Sequence, residues 1–244
     1  MMIRRLLILF VVSLIYIPAH SQVLISLLLG DNLNSGKVEF GLDGGLNLSN
    51  QGGLSQSKIL SSFNLGFYFD IKLKQSPWMI HTGVIVKSNV GAAGLPVYSL
   101  NDADLDNAFV GGSIERKLSY FHVPVLMKYN FTNHFFLEAG PQLGLLYKAY
   151  DEFTNTVQSD DLTYRNEIRD GFHRLDAGLT TGIGYHRLTK GHGMNLGVRY
   201  YYGFVDVVID DTGSSITNRS LYFTVGIPIG AGKAAEKAAN KEKR

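Results

Sequence analysis

The 244-residue chain contains no cysteine. This absence excludes disulfides, thiol catalysis, cysteine-based metal sites and a lipid-modified N-terminal cysteine. Charge is also scarce: 18% of residues are charged, where about a quarter is usual. With 23 basic and 21 acidic residues, the net charge provides no field that would favour nucleic acid or an acidic partner. The chain has instead 27 glycines, 13 tyrosines and 14 phenylalanines, a composition that suits many β-strands.

Long apolar runs are also lacking, except at the N-terminus. Arg4 and Arg5 precede an apolar run of 12 residues at 6–17, and a small-x-small motif follows at 19–21. This three-part pattern predicts a secretory signal peptide over residues 1–21. The run is shorter than the roughly 20 residues of a spanning helix. The alternative, an uncleaved anchor that continues further, is interrupted by proline and polar residues.

Apolar and polar residues alternate with a period of two in eight separate stretches. In residues 62–73 the odd positions are apolar and the even positions are mostly polar or glycine. This alternation is typical of a strand with one apolar and one polar face. The stretches are about 9–14 residues long, as a tilted membrane-spanning strand requires and longer than most soluble strands. The other seven stretches are 37–48, 78–87, 121–129, 135–148, 174–186, 194–203 and 221–229.

The connections between these strands alternate between short and long. Short connections lie at 74–77, 130–134 and 187–193, whereas long ones lie at 49–61, 88–117, 149–172 and 205–220. The pattern predicts an all-β fold, an eight-stranded antiparallel up-and-down transmembrane β-barrel over residues 37–230. Four long loops would be extracellular, three short turns periplasmic, and both termini periplasmic in the outer membrane. The alternative is a soluble lipocalin-like barrel or sandwich, with its apolar face inward.

Aromatic residues cluster where the predicted strands end. Membrane barrels carry aromatic girdles at both interfaces with water, which explains two such sets. The set beside the short turns comprises Trp78, Tyr129, Phe131, Phe135 and Tyr185. The set beside the long loops comprises Phe63, Phe121, Tyr147, Tyr202 and Phe204.

The polar faces of the strands would line the lumen. An eight-stranded barrel is just wide enough for side chains to fill it, and buried charges of both signs should pair. We therefore predict a filled interior without an open pore. The predicted lumen network comprises Glu39, Asp43, Asp70, Lys72, His81, Lys87, His122, Lys128, Glu138, Arg174, Asp176 and Arg199.

Two constellations invite a chemical interpretation. His81, His122, Glu138 and Asp176 would all face inward, where a polar network is the favoured explanation. A hydrolase acting on lipid is the alternative, but no Gly-x-Ser-x-Gly motif accompanies these residues. The acidic stretch at 102–107 (DADLDN) resembles the opening of a calcium loop.

In that stretch Asn107 occupies the position of the required glycine, and Ser113 that of the required glutamate. We therefore expect a solvated acidic loop, with weak calcium binding as the alternative, and we assign no catalytic, cofactor or metal residue. The third long loop is acidic too, and a basic partner or a divalent ion is the alternative to simple solvation. Its acidic residues are Asp151, Glu152, Asp160, Asp161, Glu167 and Asp170.

The two ends of the mature chain are candidate partner contacts. A pre-barrel periplasmic segment at 22–36 contains the apolar run VLISLLL, which could cover the barrel mouth, lie at the membrane interface or bind a partner. A basic Ala/Lys-rich periplasmic tail at 231–244 has helix-forming composition. The candidate contact residues are Val23, Leu24, Leu27, Leu28, Lys233, Lys237 and Lys241.

Four motifs stand out at 120–131 (YFHVPVLMKYNF), 136–144 (FLEAGPQLG), 195–203 (NLGVRYYYG) and 218–221 (NRSL). They resemble one known family, the PorT-like small outer-membrane β-barrels of Bacteroidetes-type bacteria. The resemblance covers essentially the whole mature chain. The apolar pre-barrel segment and the ending GIPIG are similar to the PorT/SprT branch, which is associated with type IX secretion and gliding motility. The final strand departs from many such barrels, because it ends in Ile229 and a tail follows it.

The resemblance implies no catalytic residue and no cofactor. It implies a non-enzymatic accessory or assembly component of protein secretion that acts through protein contacts. Such a protein would lie in outer-membrane lipid, and we expect no nucleic acid and no obligate small-molecule ligand as partners. The alternatives are a small barrel with lipid-enzyme activity at His81 or His122, or a passive channel.

Overall fold

The computed structural model describes residues 37–54, 56–74, 77–157, 160–189, 192–209 and 213–229. The predicted signal peptide (1–21), pre-barrel segment (22–36) and tail (231–244) lie outside the described residues. So do the candidate partner contacts on them, which are Val23, Leu24, Leu27, Leu28, Lys233, Lys237 and Lys241.

The described residues form ten strands, one short α-helix and one 3-10 turn at Arg169–Gly171. None of the helical segments among them is long and apolar enough to cross a membrane. The strands are β1 (Val38–Gly52), β2 (Leu60–Lys72), β3 (Trp78–Lys87), β4 (Asn89–Leu95), β5 (Ser113–Asn130), β6 (Phe135–Val157), β7 (Asp160–Glu167), β8 (Leu175–Thr189), β9 (His192–Gly203) and β10 (Thr217–Pro228), and the helix is α1 (Ala103–Ala108).

Eight of the strands form a closed antiparallel ring in the order β1-β2-β3-β5-β6-β8-β9-β10. The ring closes because β1 pairs with β10, from Gly41 opposite Pro228 to Gly52 opposite Thr217. A closed ring leaves no sheet edge within it, which is the condition for spanning lipid with strands. The predicted all-β antiparallel fold is confirmed.

The alternation of β2 shows which face of the ring is apolar. Phe63 and Leu65 are exposed by 54% and 43%, whereas Asn64 and Asp70 are 1% and 0% exposed. A soluble barrel would bury the apolar set instead. The ring is therefore apolar outside and polar inside, as the membrane-barrel prediction requires.

Inward-facing glycines provide room for large interior side chains. A β-carbon on Gly41 would lie 2.4 Å from the Tyr68 ring, and one on Gly184 would lie 2.1 Å from the Phe136 ring. Both rings are almost completely buried. The glycine content of the chain thus allows an eight-stranded ring to hold aromatic side chains in its interior.

Exposed aromatic pairs lie at the end of the ring that carries the short turns, which we call the turn end. Trp78 packs edge-on against Tyr129 with 4.8 Å between ring centroids, and Tyr129 packs against Phe131 at the same distance. Phe135 and Tyr185 pair at 5.1 Å. These residues match the predicted girdle at this end.

A second set of aromatic pairs lies toward the opposite end, which we call the loop end. Phe121 and Tyr147 stack with 4.5 Å between centroids, and Tyr202 lies 5.8 Å from Phe204. All four are exposed, and so is Phe63. Two girdles separated by aliphatic side chains are typical of a barrel whose outer face meets lipid.

Two ring strands continue past the ring at the loop end, where sequence analysis predicted only long loops. The outer part of β5 pairs with β4, from Asn89 opposite Ser119 to Leu95 opposite Ile114. The outer part of β6 pairs with β7, and β5 and β6 stay paired to their ends. The predicted loops at 88–117 and 149–172 therefore contain a four-stranded sheet, β4-β5-β6-β7, which we call the extension sheet.

Two clusters of buried apolar residues lie toward the loop end. One cluster, which we call the apolar cap, combines residues of β4, β5 and β6 with residues from the connections before β8 and after β9. A second cluster packs one face of the extension sheet against α1. The apolar cap comprises Val90, Leu118, Tyr120, Leu146, Ala149, Phe172 and Val207.

Candidate functional site

Arg199 on β9 is the centre of an ion network inside the ring. Its guanidinium donates to Asp43 Oδ2 at 2.7 Å and to Glu138 Oε1, and its Nη2 lies 3.0 Å from His81 Nε2. Because arginine can only donate, His81 Nε2 must accept this bond. The other ring nitrogen, Nδ1, lies 2.6 Å from Asp70 Oδ1.

The network continues from Asp70 to β5. Lys128 Nζ donates to Asp70 Oδ2 at 2.8 Å and lies 4.0 Å from the ring centroid of Phe136. Lys128 and Asp70 are 1% and 0% exposed. Isolated charges buried this deeply would be costly, so their mutual pairing is what makes them tolerable. The chain of contacts from Asp43 to Lys128 joins six of the eight ring strands.

Further hydrogen bonds lie toward the turn end. The Tyr68 hydroxyl donates to Glu39 at 3.1 Å and accepts from Asn195 at 3.2 Å. His186 bonds to Asn195 on one side and, through Nε2, to Asn130 at 3.0 Å on the other. The interior is thus crossed by bonded side chains, and Glu39 is only partly buried at its margin.

His122 and Asp176 occupy a separate part of the interior, directly beneath the apolar cap. The His122 ring stacks on Tyr120 with 5.2 Å between centroids and lies 6.1 Å from Tyr201. Neither ring nitrogen of His122 has a hydrogen-bond partner among the described residues. Asp176 accepts from Asn218 at 2.9 Å. No described contact joins this pair to the Arg199 network.

The histidine environments do not resemble a nucleophile and its base. His81 Nε2, where a serine hydroxyl would have to lie, faces the Arg199 guanidinium. His122 is enclosed by tyrosine rings. The structure does not assemble His81, His122, Glu138 and Asp176 into one cluster, as the hydrolase hypothesis would require.

Three residues of the predicted lumen network are exposed and do not join it: Lys72, Lys87 and Arg174. Lys72 is the last residue of β2, and Arg174 precedes the first residue of β8. Lys87 follows a register shift, since Ile85 pairs with Gly66 but Lys87 pairs with Leu65. Alternation assigns a face only inside a regular strand, and it fails at strand ends and bulges.

Sequence analysis also missed interior residues. Tyr201 is completely buried between the outward-facing Tyr200 and Tyr202, so the alternation of β9 predicts its orientation. Asn218 lies on β10 in a stretch that was predicted to be loop. Tyr120 precedes the fourth predicted strand but lies within β5. Asn218 and Tyr120 were missed because the predicted strands begin later than β10 and β5 do.

The stretch that resembled a calcium loop caps a helix. Asp102 is the N-cap of α1, and its Oδ1 accepts from the backbone amides of Asp104 at 3.0 Å and Leu105 at 3.1 Å. Asp106 accepts from the Ser99 hydroxyl at 2.5 Å, a bond that lowers the pKa of this carboxyl. Across the described ranges, no group of three or more His, Cys, Asp or Glu is placed to hold a metal ion.

The acidic third loop contains the paired β6–β7 hairpin. Most of its acidic side chains are exposed, as expected, but two carboxylates bind cations of the chain. Asp151 is buried and receives two hydrogen bonds from Arg116, at 2.9 and 2.8 Å. Glu152 accepts from Lys117 at 2.5 Å and from Arg165 at 2.6 Å. Burial raises the pKa of Glu152, but these bonds outweigh burial and hold that pKa below its usual range.

Comparisons with solved structures find small outer-membrane proteins at low similarity. Ail, the attachment invasion locus protein of Yersinia pestis, shares 11% identity at a TM-score of 0.37, over 79% of this chain and 99% of Ail. Neisserial surface protein A shares 13% at 0.36, over 78% and 96%. A major outer membrane protein from Thermus thermophilus shares 15% at 0.35, over 79% and 98%. No curated protein sequence matches the chain.

A family model described as "Outer membrane protein beta-barrel domain" matches residues 29–208. The matched residues include the first seven strands of the ring, the whole extension sheet and the histidines, acids and bases of the interior network. Membership of such a family places the protein in the outer membrane, with its exposed apolar face in contact with lipid. The chain therefore belongs to the outer membrane protein β-barrel domain family.

Proposed function

We propose that this barrel is a non-enzymatic and non-conducting component of a protein secretion or assembly complex, and that it acts through protein contacts. The observation that carries the proposal is the closed interior. Ion pairs from Asp43 to Lys128 cross the ring, and the apolar cap covers it at the loop end. A lumen filled by paired side chains leaves the outer surfaces of the barrel for protein contacts.

We further propose that the loop end is extracellular and the turn end periplasmic. Because the ring has an even number of strands, the chain enters and leaves it at the same end. β1 begins and β10 ends at the turn end. Small barrels commonly have short periplasmic turns and long extracellular loops. In this orientation residues 22–36 and 231–244 are available to periplasmic partners, and the extension sheet faces the medium.

The complex that we propose is the type IX secretion machinery. The motifs at 120–131, 136–144, 195–203 and 218–221 support this role, because they resemble PorT-like barrels associated with that pathway. Deletion of the gene in a host with type IX secretion should abolish gliding and the display of surface proteases. Normal secretion in the deletion strain would refute the role while leaving the barrel intact.

Three further measurements separate this proposal from its alternatives. Replacement of both His81 and His122 by Gln, with the amount in the outer membrane verified, should leave secretion intact, whereas a lipid enzyme would lose its activity. Planar bilayers containing the purified protein should show no large stable conductance steps, which a passive channel would produce. A tag on the tail should recover partner proteins from intact outer membrane.

A further inference from the structure

The extension sheet ends in a strand with one unpaired side. β7 pairs with β6 along its whole length, from Tyr150 opposite Glu167 to Val157 opposite Asp160. In the sheet order β7 is terminal, and none of the described strands pairs with its other side. An unpaired edge presents a row of free amide and carbonyl groups to any strand that can approach it.

Hydrogen-bond alternation shows which residues face this open side. The Ile168 amide, just past β7, donates to the Ala149 carbonyl on the β6 side. Residues on a strand alternate in the direction of their backbone groups. The backbone groups of Asp161, Thr163 and Arg165 therefore point away from β6, toward the open edge.

These three residues form a self-complementary pattern. Asp161 is negative, Thr163 is neutral and lies at the centre, and Arg165 is positive and exposed. All three side chains share one face of the sheet, because strand side chains alternate. If a second β7 approached in the antiparallel direction with Thr163 opposite Thr163, Asp161 of each copy would lie opposite Arg165 of the other.

We propose that β7 pairs with β7 of a second copy in this register, related by a two-fold axis at Thr163. The interface is isologous, so one favourable Asp161–Arg165 contact occurs twice. Charges on an edge strand discourage unspecific pairing. In this register Asp161 of one copy attracts Arg165 of the other. A shift of two residues would instead place Asp161 opposite Glu167, and these two negative charges would repel each other.

The direction of pairing determines how the two barrels are arranged. β6 runs without interruption from the ring into the extension sheet, so β7 runs back toward its own barrel. Antiparallel pairing of two β7 strands makes the two barrels point in opposite directions, so the copies lie in facing membranes. The contact requires the loop end to lie outside, and it is independent of the role in secretion.

The test is clustering of proteoliposomes by the full-length protein, followed by dynamic light scattering, with trypsin digestion used to verify that the extension sheet lies outside. Wild-type vesicles should cluster. Asp161→Arg and Arg165→Asp should each raise the protein density needed for clustering at least about tenfold, because both contacts become repulsive. A mixture of the two variants should cluster like wild type, since both contacts are then Asp–Arg again.

Recovery in the mixture also shows that the variant hairpins are folded, which matters because Arg165 also binds Glu152. A mixture that clusters no better than the single variants would overturn the proposal, and so would single variants that cluster like wild type. Either result would leave the secretion proposal untouched, because that proposal is tested by gene deletion.

Substitutions at Thr163 test the edge pairing and its register. Thr163→Pro removes an amide that points away from β6, so it should abolish clustering while leaving the hairpin paired, and Thr163→Val should retain clustering.

The chain has no cysteine, so Thr163→Cys introduces a single thiol. Directly paired residues lie about 5.5 Å apart, within disulfide range. Oxidised Thr163→Cys vesicles should form covalent dimers. Val110→Cys, at a site 69% exposed, is the control, and equal cross-linking of both variants would overturn the register.

Discussion

Replacement of Arg199 by methionine tests whether the interior charges are held by one another. Arg199 is 6% exposed and donates to Asp43 and Glu138, which are themselves 7% and 3% exposed. Methionine fills a similar volume with an apolar side chain. The substitution leaves two buried carboxylates without the cation that neutralises them, and it leaves His81 Nε2 without its donor.

The expected loss is large compared with a typical substitution. Removal of one partner from a buried ion pair costs about 3–5 kcal/mol, because an uncompensated charge remains in a low-dielectric interior. The triple variant Arg199→Met, Asp43→Asn, Glu138→Gln removes the stranded charges too. It should recover stability to within about 2 kcal/mol of wild type, since replacing a whole buried ion network is often nearly neutral.

The assay is equilibrium unfolding by urea of the protein folded into lipid vesicles. The chain has one tryptophan, Trp78, which lies in the turn-end girdle against Tyr129. Its fluorescence will report when β3 leaves the membrane. Arg187→Met, at an exposed position on β8, is the matched control and should unfold within about 0.5 kcal/mol of wild type.

Two results would refute the reasoning. If Arg199→Met unfolds at the same urea concentration as Arg187→Met, the carboxylates do not depend on the guanidinium. If the triple variant is as unstable as the single variant, the loss comes from packing around residue 199 and not from stranded charge.

Three further predictions address the outer face, the helix cap and the hairpin. Leu143→Arg, on the lipid face, should cost about 2–4 kcal/mol, whereas Val110→Arg at the loop end should cost almost nothing in the same urea assay. Asp102→Ala should lower the protection of α1 amides against hydrogen exchange by about 1 kcal/mol. Calcium titration followed by calorimetry should give the same heats for wild type and for this variant. Because the pKa of Glu152 is lowered, its stabilisation of β6–β7 is present above about pH 4.3 and is lost as pH falls through the lower folded value. Hairpin protection factors should therefore drop in acid for wild type, and Glu152→Gln should remove that contribution.

Much of the ring could be predicted from alternation alone. The predicted strand at 78–87 coincides with β3, and the predicted start of β6 and the predicted end of β9 are also correct. These predictions are correct because the two-residue alternation of side chains in a strand is fixed by the local backbone and does not depend on tertiary contacts. Interior residues in the middle of strands, such as Asp70, His81 and Arg199, were identified for the same reason.

The errors occur where the local period stops being informative. β5 and β6 are 18 and 23 residues long, but their outer halves contain charges on both faces and were assigned to loops. β4 is a short run of small and apolar residues, and β7 has polar or charged residues on both faces, so neither shows a clear alternation in the sequence. They are strands because β5 and β6 offer them edges to pair with, which is a long-range condition.

The acidic residues show the same limit at the level of the candidate site. Asp151 and Glu152 in the sequence indicate only negative charge. The β5–β6 register places Arg116 opposite Asp151 and the β6–β7 register places Arg165 opposite Glu152. A pairing between residues far apart in the chain requires the register of the sheet, and the register is set by the fold.

The sequence by itself determined that this protein is a barrel with an apolar outer face, because face and girdle follow from the spacing of residues along single strands. Only the tertiary structure decided how the interior charges pair, which polar residues leave the lumen, and that the long connections form an extension sheet with an open edge at β7. These features depend on which strands become neighbours and in what register, and both are properties of the folded sheet and not of single strands.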